Sequence, residues 1–398
     1  MENNQQKKEH RFLWGFIAGF GVMALLAFVY WGGNFVIKQI KSLTRVQKSE
    51  EDTKAEFLEK FVDQYYLEEK DEKAWDEGAY KGMIQSLGDP YSAYYSADEY
   101  DDMLVSMTGD YAGVGALLQK DTTTGVVTIT KVYKGTPAEE AGLQKGDIIL
   151  YADEYSSVDE DLDKFVTHIR GEAGTTVKLT ILRGEEEKQL IIKRAKISAP
   201  SVEYQMLADN IGYIEISQFL EKTDEDFVDA YEDLKSQGME KVIVDLRGNG
   251  GGLVDSVTNL LDYLLPEGVL VYTENKDGEQ YKYNSDAKSQ DLPMVVLVDA
   301  NTASSSEIFA GAVRDYKYAK LIGTKTFGKG IVQSTVQLYD GSAVKLTTDY
   351  YYTPSGECIH GEGIEPDIEI EYEPLGKDEE YDVEKDNQVI RAIEELKK

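Results

Sequence analysis

The spacing of hydrophobic and polar residues changes three times along this chain. Residues 12–31 (FLWGFIAGFGVMALLAFVYW) contain no charged side chain, and about 20 such residues are what a helix needs to cross the hydrocarbon core of a bilayer. Trp14, Tyr30 and Trp31 lie near its ends, as aromatic residues do at membrane interfaces. No small-residue cleavage pattern follows the apolar run, so it predicts an uncleaved transmembrane signal anchor.

A helical pattern follows, up to about residue 100. Apolar residues recur at helical spacing among many charged ones: Phe57, Phe61, Val62, Tyr65 and Tyr66. The dipeptide Gly88-Asp89 followed by Pro90 ends one helix, because glycine is favoured just past a helix and proline cannot continue it. This segment is predicted to be a helical juxtamembrane region.

Short strand-like runs replace the helical pattern between residues 111 and 196. VVTITKVY, GDIILYADE, TVKLTILR and EKQLIIKR are typical of strands. They follow a glycine-rich stretch whose backbone N–H groups can form a nest for an anion: Gly113, Val114, Gly115, Ala116, Leu117 and Leu118. An ordinary glycine-rich hairpin is the alternative interpretation of this stretch.

From residue 201 onward, strands alternate with helices. KVIVDLR and MVVLVDA are almost wholly apolar, as expected of strands that are buried on both faces. LVDSVTNLLDYLL and SSSEIFAGAVRDY have the spacing of helices. This alternation predicts an α/β domain.

Composition narrows the function classes. The 398 residues carry a formal net charge of -32, which repels a phosphate backbone, so nucleic acid is not expected as a partner. Cys358 is the only cysteine, which excludes an intrachain disulfide and zinc sites of the Cys/His type. The length suits two or three domains.

Three consecutive serines precede an apolar helical run in NTASSSEIFAG, residues 301–311. Ser304 with Glu307 is the pattern of a capping box, in which two side chains satisfy backbone N–H groups at the start of a helix. The same serine is alternatively a nucleophile. These residues alone leave both interpretations open.

Two further segments favour the nucleophile. DLRGNGGG, residues 245–252, follows a buried strand, where backbone N–H groups can converge on an anion. It lacks the sequence features of a P-loop or a dinucleotide loop, so an oxyanion hole fits better. TFGKGIVQ, residues 326–333, places Lys329 among glycines and apolar residues. Desolvation there should lower the pKa of Lys329, and a neutral amine can activate a serine without a histidine.

These motifs resemble those of the C-terminal processing peptidases, also called tail-specific proteases. TPAEEAGLQKGDIIL and the glycine-rich stretch resemble a PDZ domain, and GEGIEPD, residues 361–367, resembles the closing motif of the family. The resemblance extends from about residue 57 to residue 371. It implies an α/β, crotonase-like peptidase core with an inserted PDZ domain, a helical N-terminal region and a single transmembrane helix.

The resemblance also implies a role for each matching residue. Ser304 would be the nucleophile, Lys329 the general base and Gln333 the residue that positions the lysine. The oxyanion hole would be formed by backbone N–H groups of Gly251 or Gly252 and of Ser305. The carboxylate of a substrate's C-terminus would be received by Gly113, Val114, Gly115, Ala116 and Leu117.

The chain departs from the family pattern at three positions. Thr302 and Ser305 replace the usual serine and alanine, so the choice among adjacent serines depends on the alignment. Gly250 stands where proline is common, which should loosen the oxyanion loop.

Other candidate sites have weaker support. A Ser/His/Asp triad would need His168 or His360, which are expected to have surface, peptide-contacting or structural roles. The aspartates at 159, 161 and 163 begin like a calcium loop but lack its glycine and distal glutamate. We therefore expect no metal and no cofactor.

The expected protein is a serine endopeptidase of the cell membrane, with its catalytic part outside the cytoplasm. The resemblance further implies protein substrates, a homodimer and a PDZ domain that gates activity. The alternatives are a non-catalytic PDZ scaffold and a nucleotide-using enzyme. The predicted boundaries are a cytoplasmic tail at 1–11, the anchor at 12–31, the helical region at 32–100, the PDZ domain at 101–197, the peptidase core at 198–375 and an acidic helical tail at 376–398.

Overall fold

The computed structural model describes residues 50–121, 124–374, 376 and 381–398. The predicted fold class needs one correction, because it included a single transmembrane helix. In the described ranges, no helix is long and apolar enough to cross a bilayer. The segment predicted to do so, residues 12–31, lies outside them. The described fold is otherwise mixed α/β, with a small β domain, the expected PDZ domain, inserted into a larger core.

The chain forms two compact units that divide between residues 79 and 80. Helix α1 (Glu50–Tyr65) belongs to the first unit, and helix α2 (Glu72–Gln85) runs across the division. Within the first unit, the Lys70 ammonium lies within 3.5 Å of three carboxylates, those of Glu59, Asp63 and Glu72. These ion pairs hold the turn that follows α1.

The second unit contains strand β1 (Ala93–Tyr95) and helix α3 (Ala97–Thr108). A capping box begins α3: the Glu99 N–H donates to the Ser96 hydroxyl (3.4 Å), and the Ser96 N–H donates to the Glu99 carboxylate (2.9 Å). Gly109, with a φ of 72°, ends the helix. The helix therefore has a defined start and end, and it leads directly into the PDZ domain.

The PDZ domain is a small antiparallel β structure with two short helices. Its elements are β2 (Asp110–Gly113), β3 (Ala116–Lys120), β4 (Val127–Val132), α4 (Pro137–Glu140), β5 (Ile148–Ala152), β6 (Tyr155–Ser156), α5 (Leu162–Ile169), β7 (Thr176–Arg183), β8 (Glu186–Lys193) and β9 (Ala195–Ser198). Five strands are ordered β3-β4-β5-β7-β8, and β2 pairs with β9 where the chain enters and leaves. Buried apolar side chains, including Ile129, Phe165 and Leu179, form its core.

The α/β core, which is the expected peptidase core, follows. Its elements are β10 (Val202–Leu207), β11 (Ile211–Ile216), α6 (Thr223–Ser236), β12 (Lys241–Asp245), α7 (Val254–Leu264), β13 (Gly268–Asn275), β14 (Gln280–Ser285), β15 (Met294–Val298), α8 (Ser305–Asp315), β16 (Ala319–Gly323), β17 (Ile331–Gln337), β18 (Ala343–Tyr352), β19 (Ile368–Glu369) and α9 (Asn387–Leu396).

The main sheet of the core has the order β10-β11-β12-β15-β16-β19. Strands β11 to β19 of this sheet are parallel, and β10 is antiparallel to β11. Val242 and Val244 pack in the cluster that includes α6, α7 and α8, whereas Ile243 packs in the cluster that includes α9. Both faces are therefore covered, which explains why these strands are continuously apolar.

A second sheet has the order β1-β18-β13-β14, and β17 also pairs with β18. Strand β1 precedes the PDZ domain in sequence, yet Ala93 pairs with Lys345 of β18. The PDZ domain is thus inserted between two parts of one peptidase core. This pairing brings the segment around residues 89–95 to the site described below.

Candidate active site

Three segments that follow adjacent parallel strands meet at one edge of the main sheet. They follow β12, β15 and β16. The carboxyl ends of parallel strands are where open α/β sheets bind their ligands. A cavity of about 440 Å³ lies there, and its lining includes Ser304, Lys329 and Gln333. The structure therefore brings together the three residues predicted to carry the chemistry.

The three consecutive serines have different environments. Ser305 and Ser306 are fully buried, and their hydroxyls donate to the carbonyl oxygens of Gly252 (2.8 Å) and Asn249 (3.0 Å). Ser304 is half-buried, and it is the serine of the three that lines the cavity. The structure thus separates Ser304 from its neighbours, which the local sequence did not do.

The backbone of Ser304 is in an unusual conformation, with φ 57° and ψ -120°. A positive φ is costly for a residue with a side chain, and it persists where the surroundings enforce it. Here the Ser304 N–H donates to the carboxylate of Glu307 (2.9 Å), and the Tyr351 hydroxyl donates to the Ser304 carbonyl (3.0 Å). Two buried side chains therefore hold the strained turn that presents Ser304 to the cavity.

Glu307 joins this turn to the segment that carries the lysine. Its fully buried carboxylate also accepts hydrogen bonds from the Thr326 hydroxyl (2.6 Å), the Gly328 N–H (2.7 Å) and the Lys329 N–H (2.8 Å). Such donors compensate a buried carboxylate for its lost hydration. The capping pattern in the sequence indicated the first contact of Glu307 and missed the other three.

Lys329 is half-buried in the cavity wall. Burial lowers its pKa, and the positive charge of Lys345 lowers it further, while the charges of Asp89 and Glu307 act in the opposite direction. Its ammonium nitrogen lies 4.8 Å from the centroid of the Tyr91 ring. An ordinary lysine is neutral in only about one molecule in 2,500 at pH 7, so a lowered pKa is what a lysine base requires.

Gln333 lies on β17 and lines the same cavity. Its side-chain amide donates to the Thr347 hydroxyl at 3.4 Å, a long hydrogen bond to the neighbouring strand. Gln333 is thus close to the lysine in the fold, while the bond that its amide makes is to a different partner. A lysine-positioning role would belong to the side-chain oxygen of Gln333, which this hydrogen bond does not use.

The glycine run lies against the nucleophile. A Cβ atom at Gly251 would come within 2.7 Å of the Ser304 Cβ, and one at Gly252 would come within 2.1 Å of the Phe219 carbonyl oxygen. Both glycines have left-handed φ angles, 101° and 149°. Glycine is needed at both positions because nothing larger fits.

Asn249 orders this run, a role that sequence reasoning missed. Its buried side chain donates to the Ile216 carbonyl (2.8 Å) and accepts the Gly251 N–H (2.9 Å). The Ala303 N–H donates to the carbonyl of Asn249 (3.0 Å). Since the Gly251 N–H already has a partner, Gly252 is the better candidate for the oxyanion hole, together with Ser305. A buried asparagine amid glycines was the signal available in the sequence.

The three departures from the family pattern leave these contacts in place. The buried Thr302 hydroxyl donates to the Leu246 carbonyl (2.9 Å) and thereby links two of the loops. The Ser305 hydroxyl bonds within the oxyanion loop, as described above. A Cβ atom at Gly250 would meet nothing within 4 Å.

The predicted carboxylate-binding stretch lies in a groove of about 320 Å³ on the PDZ domain. Val114, Ala116 and Leu117 line it, while Gly113 ends β2 and Gly115 forms the turn before β3. In the described sheet β3 is an edge strand, and the opposite wall includes Val166, Ile169 and Arg170 of α5 or just after it. An edge strand beside a helix is the arrangement to which an extended peptide adds as a further strand.

Helix α3 contributes to both cavities. Val105 and Ser106 line the PDZ groove, and Met103, Ser106 and Met107 line the catalytic cavity. Leu220, which follows β11, also lines the groove. Helix α3 is therefore shared by the walls of the two cavities.

The two histidines considered above lie elsewhere. His168 lies 2.8 Å from the Glu160 carboxylate and stacks on Tyr155 at a centroid distance of 3.6 Å, and His360 contacts the edge of Tyr350. Among the residues that the structure describes, no group of three or more His, Cys, Asp or Glu side chains is arranged to hold a metal ion. Neither histidine is a lining residue of the catalytic cavity.

Comparison with known proteins finds three family matches along the chain. Residues 210–370 match peptidase family S41, residues 102–193 match the PDZ domain, and residues 22–99 match the activating protease CtpB N-terminal domain. A probable CtpA-like serine protease of Staphylococcus haemolyticus (strain JCSC1435) is 38% identical over 365 residues, which cover 89% of this chain and 73% of the relative. A protein of the same description from Staphylococcus aureus (strain COL) is 35% identical over 381 residues, with coverages of 93% and 75%.

Two solved structures are similar to this chain. A putative S41 protease from Bacteroides fragilis NCTC 9343 has a TM-score of 0.51 and 19% identity over 73% of this chain and 82% of the other, which shows a shared fold. The photosystem II D1 C-terminal processing protease is 30% identical over 78% of this chain and 86% of the other, with a TM-score of 0.49. The staphylococcal relatives decide the family and confirm the predicted enzyme class: the chain belongs to peptidase family S41, as a C-terminal processing serine peptidase with a PDZ domain.

Proposed function

We propose that Ser304, Lys329 and Gln333 form the catalytic centre of an endopeptidase that cleaves protein substrates near their C-terminus. The main support is that Ser304 faces a cavity shared with a lysine whose pKa is lowered by burial. Neutral Lys329 accepts the hydroxyl proton as the serine oxygen bonds to the scissile carbonyl carbon. The N–H groups of Gly252 and Ser305 stabilise the oxyanion. Lys329 returns the proton to the leaving amine, and water then hydrolyses the acyl-enzyme.

The test compares the wild type with Ser304→Ala and Lys329→Ala on an unfolded protein substrate. We expect each variant to lose cleavage by a factor of about 100 to 10,000, the usual contribution of such groups. Lys325→Ala is the matched control, because Lys325 is in the same segment but is exposed and paired with Glu365. Cleavage by Ser304→Ala or Lys329→Ala at the rate of the control would overturn the proposal.

The PDZ groove is proposed to bind the C-terminal residues of the substrate. Its walls, which include Val114, Leu117, Val166 and Ile169, favour apolar side chains, and β3 offers a free edge to an extended peptide. A labelled peptide with an apolar C-terminus should bind the Ser304→Ala protein, and its C-terminal amide should bind at least about tenfold more weakly. Leu117→Asp should weaken binding similarly. Equal affinity for the acid and the amide would contradict this role.

We also propose that the groove gates the catalytic site. Leu220 lines the groove, and the adjacent Phe219 donates its N–H to the Gly251 carbonyl (3.0 Å) and accepts the Leu253 N–H (2.8 Å). A peptide that moves Leu220 or α3 therefore acts on the oxyanion loop through a short, continuous set of contacts.

Gating predicts that a PDZ-binding peptide stimulates the cleavage of a second substrate. Leu220→Ala should keep most of the affinity for the peptide, because the other walls of the groove remain. It should lose most of the stimulation, because the side chain that a bound peptide would move is removed. Deletion of residues 111–196 should raise basal turnover. A deletion variant with lower activity and no higher basal turnover under any condition would reject the gate.

We also propose that the protein forms a homodimer through helix α1 of the first unit. Phe57, Phe61 and Tyr65 lie on one face of α1, and each side chain is about half exposed or more. Sedimentation should show a dimer that Phe61→Glu dissociates, whereas Lys60→Glu, on the same helix, should leave it intact. A monomeric wild type would contradict the proposal. The location of the catalytic part outside the cytoplasm stays a prediction, because no described residue tests it.

A further inference from the structure

The catalytic cavity contains a second lysine. Lys345 on β18 is half-buried and lines the cavity together with Lys329. It pairs across the hairpin with Thr335 of β17, two residues from the pair formed by Gln333 and Thr347. Because side chains alternate along a strand, Gln333, Thr335 and Lys345 share the face of the hairpin that forms the cavity wall.

The two lysines have similar local surroundings. The ammonium nitrogen of Lys345 lies 5.3 Å from the centroid of the Tyr95 ring, as that of Lys329 lies 4.8 Å from the Tyr91 ring. Both tyrosines belong to the segment that β1 brings to the core, since Ala93 pairs with Lys345. Each of the two lysine nitrogens thus lies over an aromatic ring. The wall of one cavity therefore carries two lysine side chains, which would repel each other if both were protonated.

We propose that Lys345 is a positioning residue for the reaction that acts through Lys329: its ammonium repels a second positive charge in the same cavity and so keeps Lys329 neutral. This inference depends on the proposed role of Lys329 as the base. The proton that moves is that of the Ser304 hydroxyl, which passes to the Lys329 nitrogen and then to the leaving amine.

The other charged groups that face Lys329 show why such a neighbour matters. Asp89, which precedes β1, and Glu307 of α8 favour the charged form of Lys329. The Tyr91 ring does so as well, since an aromatic face attracts a cation. The net charge of -32 adds an electrostatic field of the same direction. Burial opposes these effects, but Lys329 is only half-buried. A neighbouring positive charge is therefore a second way to lower the pKa of Lys329.

The test measures kcat/KM against pH for the full chain with a labelled unfolded protein substrate. Lys345→Met removes the charge and keeps the length of the side chain, and Lys345→Arg keeps the charge. Activity requires neutral Lys329, so it rises with pH along an acid limb. We expect Lys345→Met to move this limb about one pH unit upward, which makes kcat/KM at pH 7 about tenfold lower and restores it at higher pH. Lys345→Arg should keep the wild-type limb.

Three further variants make the result decisive: a control, a replacement for Lys345→Met and a variant of the base. Lys288→Met removes one charge at a side chain that is 90% exposed, and it should leave the limb in place. A limb that does not move in Lys345→Met, or an equal loss of activity at every pH, would overturn the inference. If Lys345→Met does not fold, Lys345→Gln replaces it with the same expectation. Wild-type activity in Lys329→Ala would instead overturn the proposed catalytic centre, whereas an inactive Lys329→Ala beside an unmoved limb would reject only the role of Lys345.

Discussion

The two halves of the catalytic cavity are built differently. The half that carries the nucleophile is held by fully buried polar side chains, Asn249 and Glu307, whose hydrogen bonds reach three separate loops. The half that carries the base is formed by the segment between β16 and β17, which holds Lys329, and by the hairpin of β17 and β18, which holds Gln333 and Lys345. These three side chains are only half-buried. The side chains that hold the first half are therefore part of the buried core, whereas those of the second half are partly exposed to solvent.

This difference predicts how function and stability are coupled. A change in the nucleophile half leaves buried polar groups without partners, which costs free energy of unfolding as well as activity. A change in the base half alters the protonation of Lys329 and contacts near the surface. It should change the free energy of unfolding little, because these side chains are only half-buried. Variants of the nucleophile half should therefore lose both activity and stability, whereas variants of the base half should lose activity alone.

Lys329→Met should give the largest loss of activity, about 100- to 10,000-fold, without a loss of stability. Because the pKa of Lys329 is lowered in the folded protein, the unfolded chain binds the proton more tightly, and the folded protein pays for this at neutral pH. The variant should thus have an equal or higher free energy of unfolding at pH 7, and any gain should fade as pH rises toward about 10.4. Urea unfolding at several pH values checks this, and a clear loss of stability at pH 7 would contradict it.

Gly252→Ala should lower activity about 100- to 1,000-fold, as expected for a disturbed oxyanion hole. It should also cost about 2 to 4 kcal/mol of stability, because the new methyl group would collide with the Phe219 carbonyl oxygen. Gly250→Ala is the matched control, since its surroundings are open. Thermal unfolding and kcat/KM are measured for both variants. Equal stability and equal kcat/KM of the two would contradict the close contact of Gly252 with Phe219.

Glu307→Gln should lower activity about 100-fold by misplacing Ser304 relative to Lys329. The new amide can accept fewer of the four hydrogen bonds that the carboxylate now receives, so we expect a loss of about 3 kcal/mol in stability. Urea unfolding and kcat/KM measure both effects. A variant with wild-type stability and reduced activity would place Glu307 with the base half instead.

Gln333→Ala should have the smallest effect, about a tenfold loss of kcat/KM, the value of roughly one hydrogen bond. Its stability should stay within about 0.5 kcal/mol of the wild type, because Gln333 is half-buried and its bond to Thr347 is long. Thr347→Val is the control for that bond. If Thr347→Val lowers kcat/KM as much as Gln333→Ala does, the glutamine acts through the strand pair and not through the lysine.

Local patterns in the sequence were sufficient for much of this description. The apolar runs KVIVDLR and MVVLVDA indicated strands that are buried on both faces, and they are β12 and β15. Resemblance to known motifs identified the family, and the three predicted catalytic residues line one cavity. The predicted transmembrane helix is the part of the fold class that found no support in the described residues.

Contacts between distant residues were not predictable in the same way. Glu307 had the local pattern of a cap, but its bonds to residues 326, 328 and 329 depend on how β15 and β16 lie side by side. Lys345 had no local signal, because its approach to Lys329 follows from hairpin register and from the pairing of β1 with β18. The helical spacing of Val389, Ala392, Ile393 and Leu396 gives α9 an apolar face, but the surface that this face covers, the main sheet, follows only from the tertiary structure.

The sequence by itself determined which residues could carry the chemistry, since reactive groups, glycine positions and apolar periodicity are properties of short segments. Only the tertiary structure decided which of three serines faces the cavity, which glycine N–H remains available and which charges surround the lysine. The physical reason is that burial and charge at a site arise from several segments at once. Those segments are brought together by strand pairing over long distances in the chain.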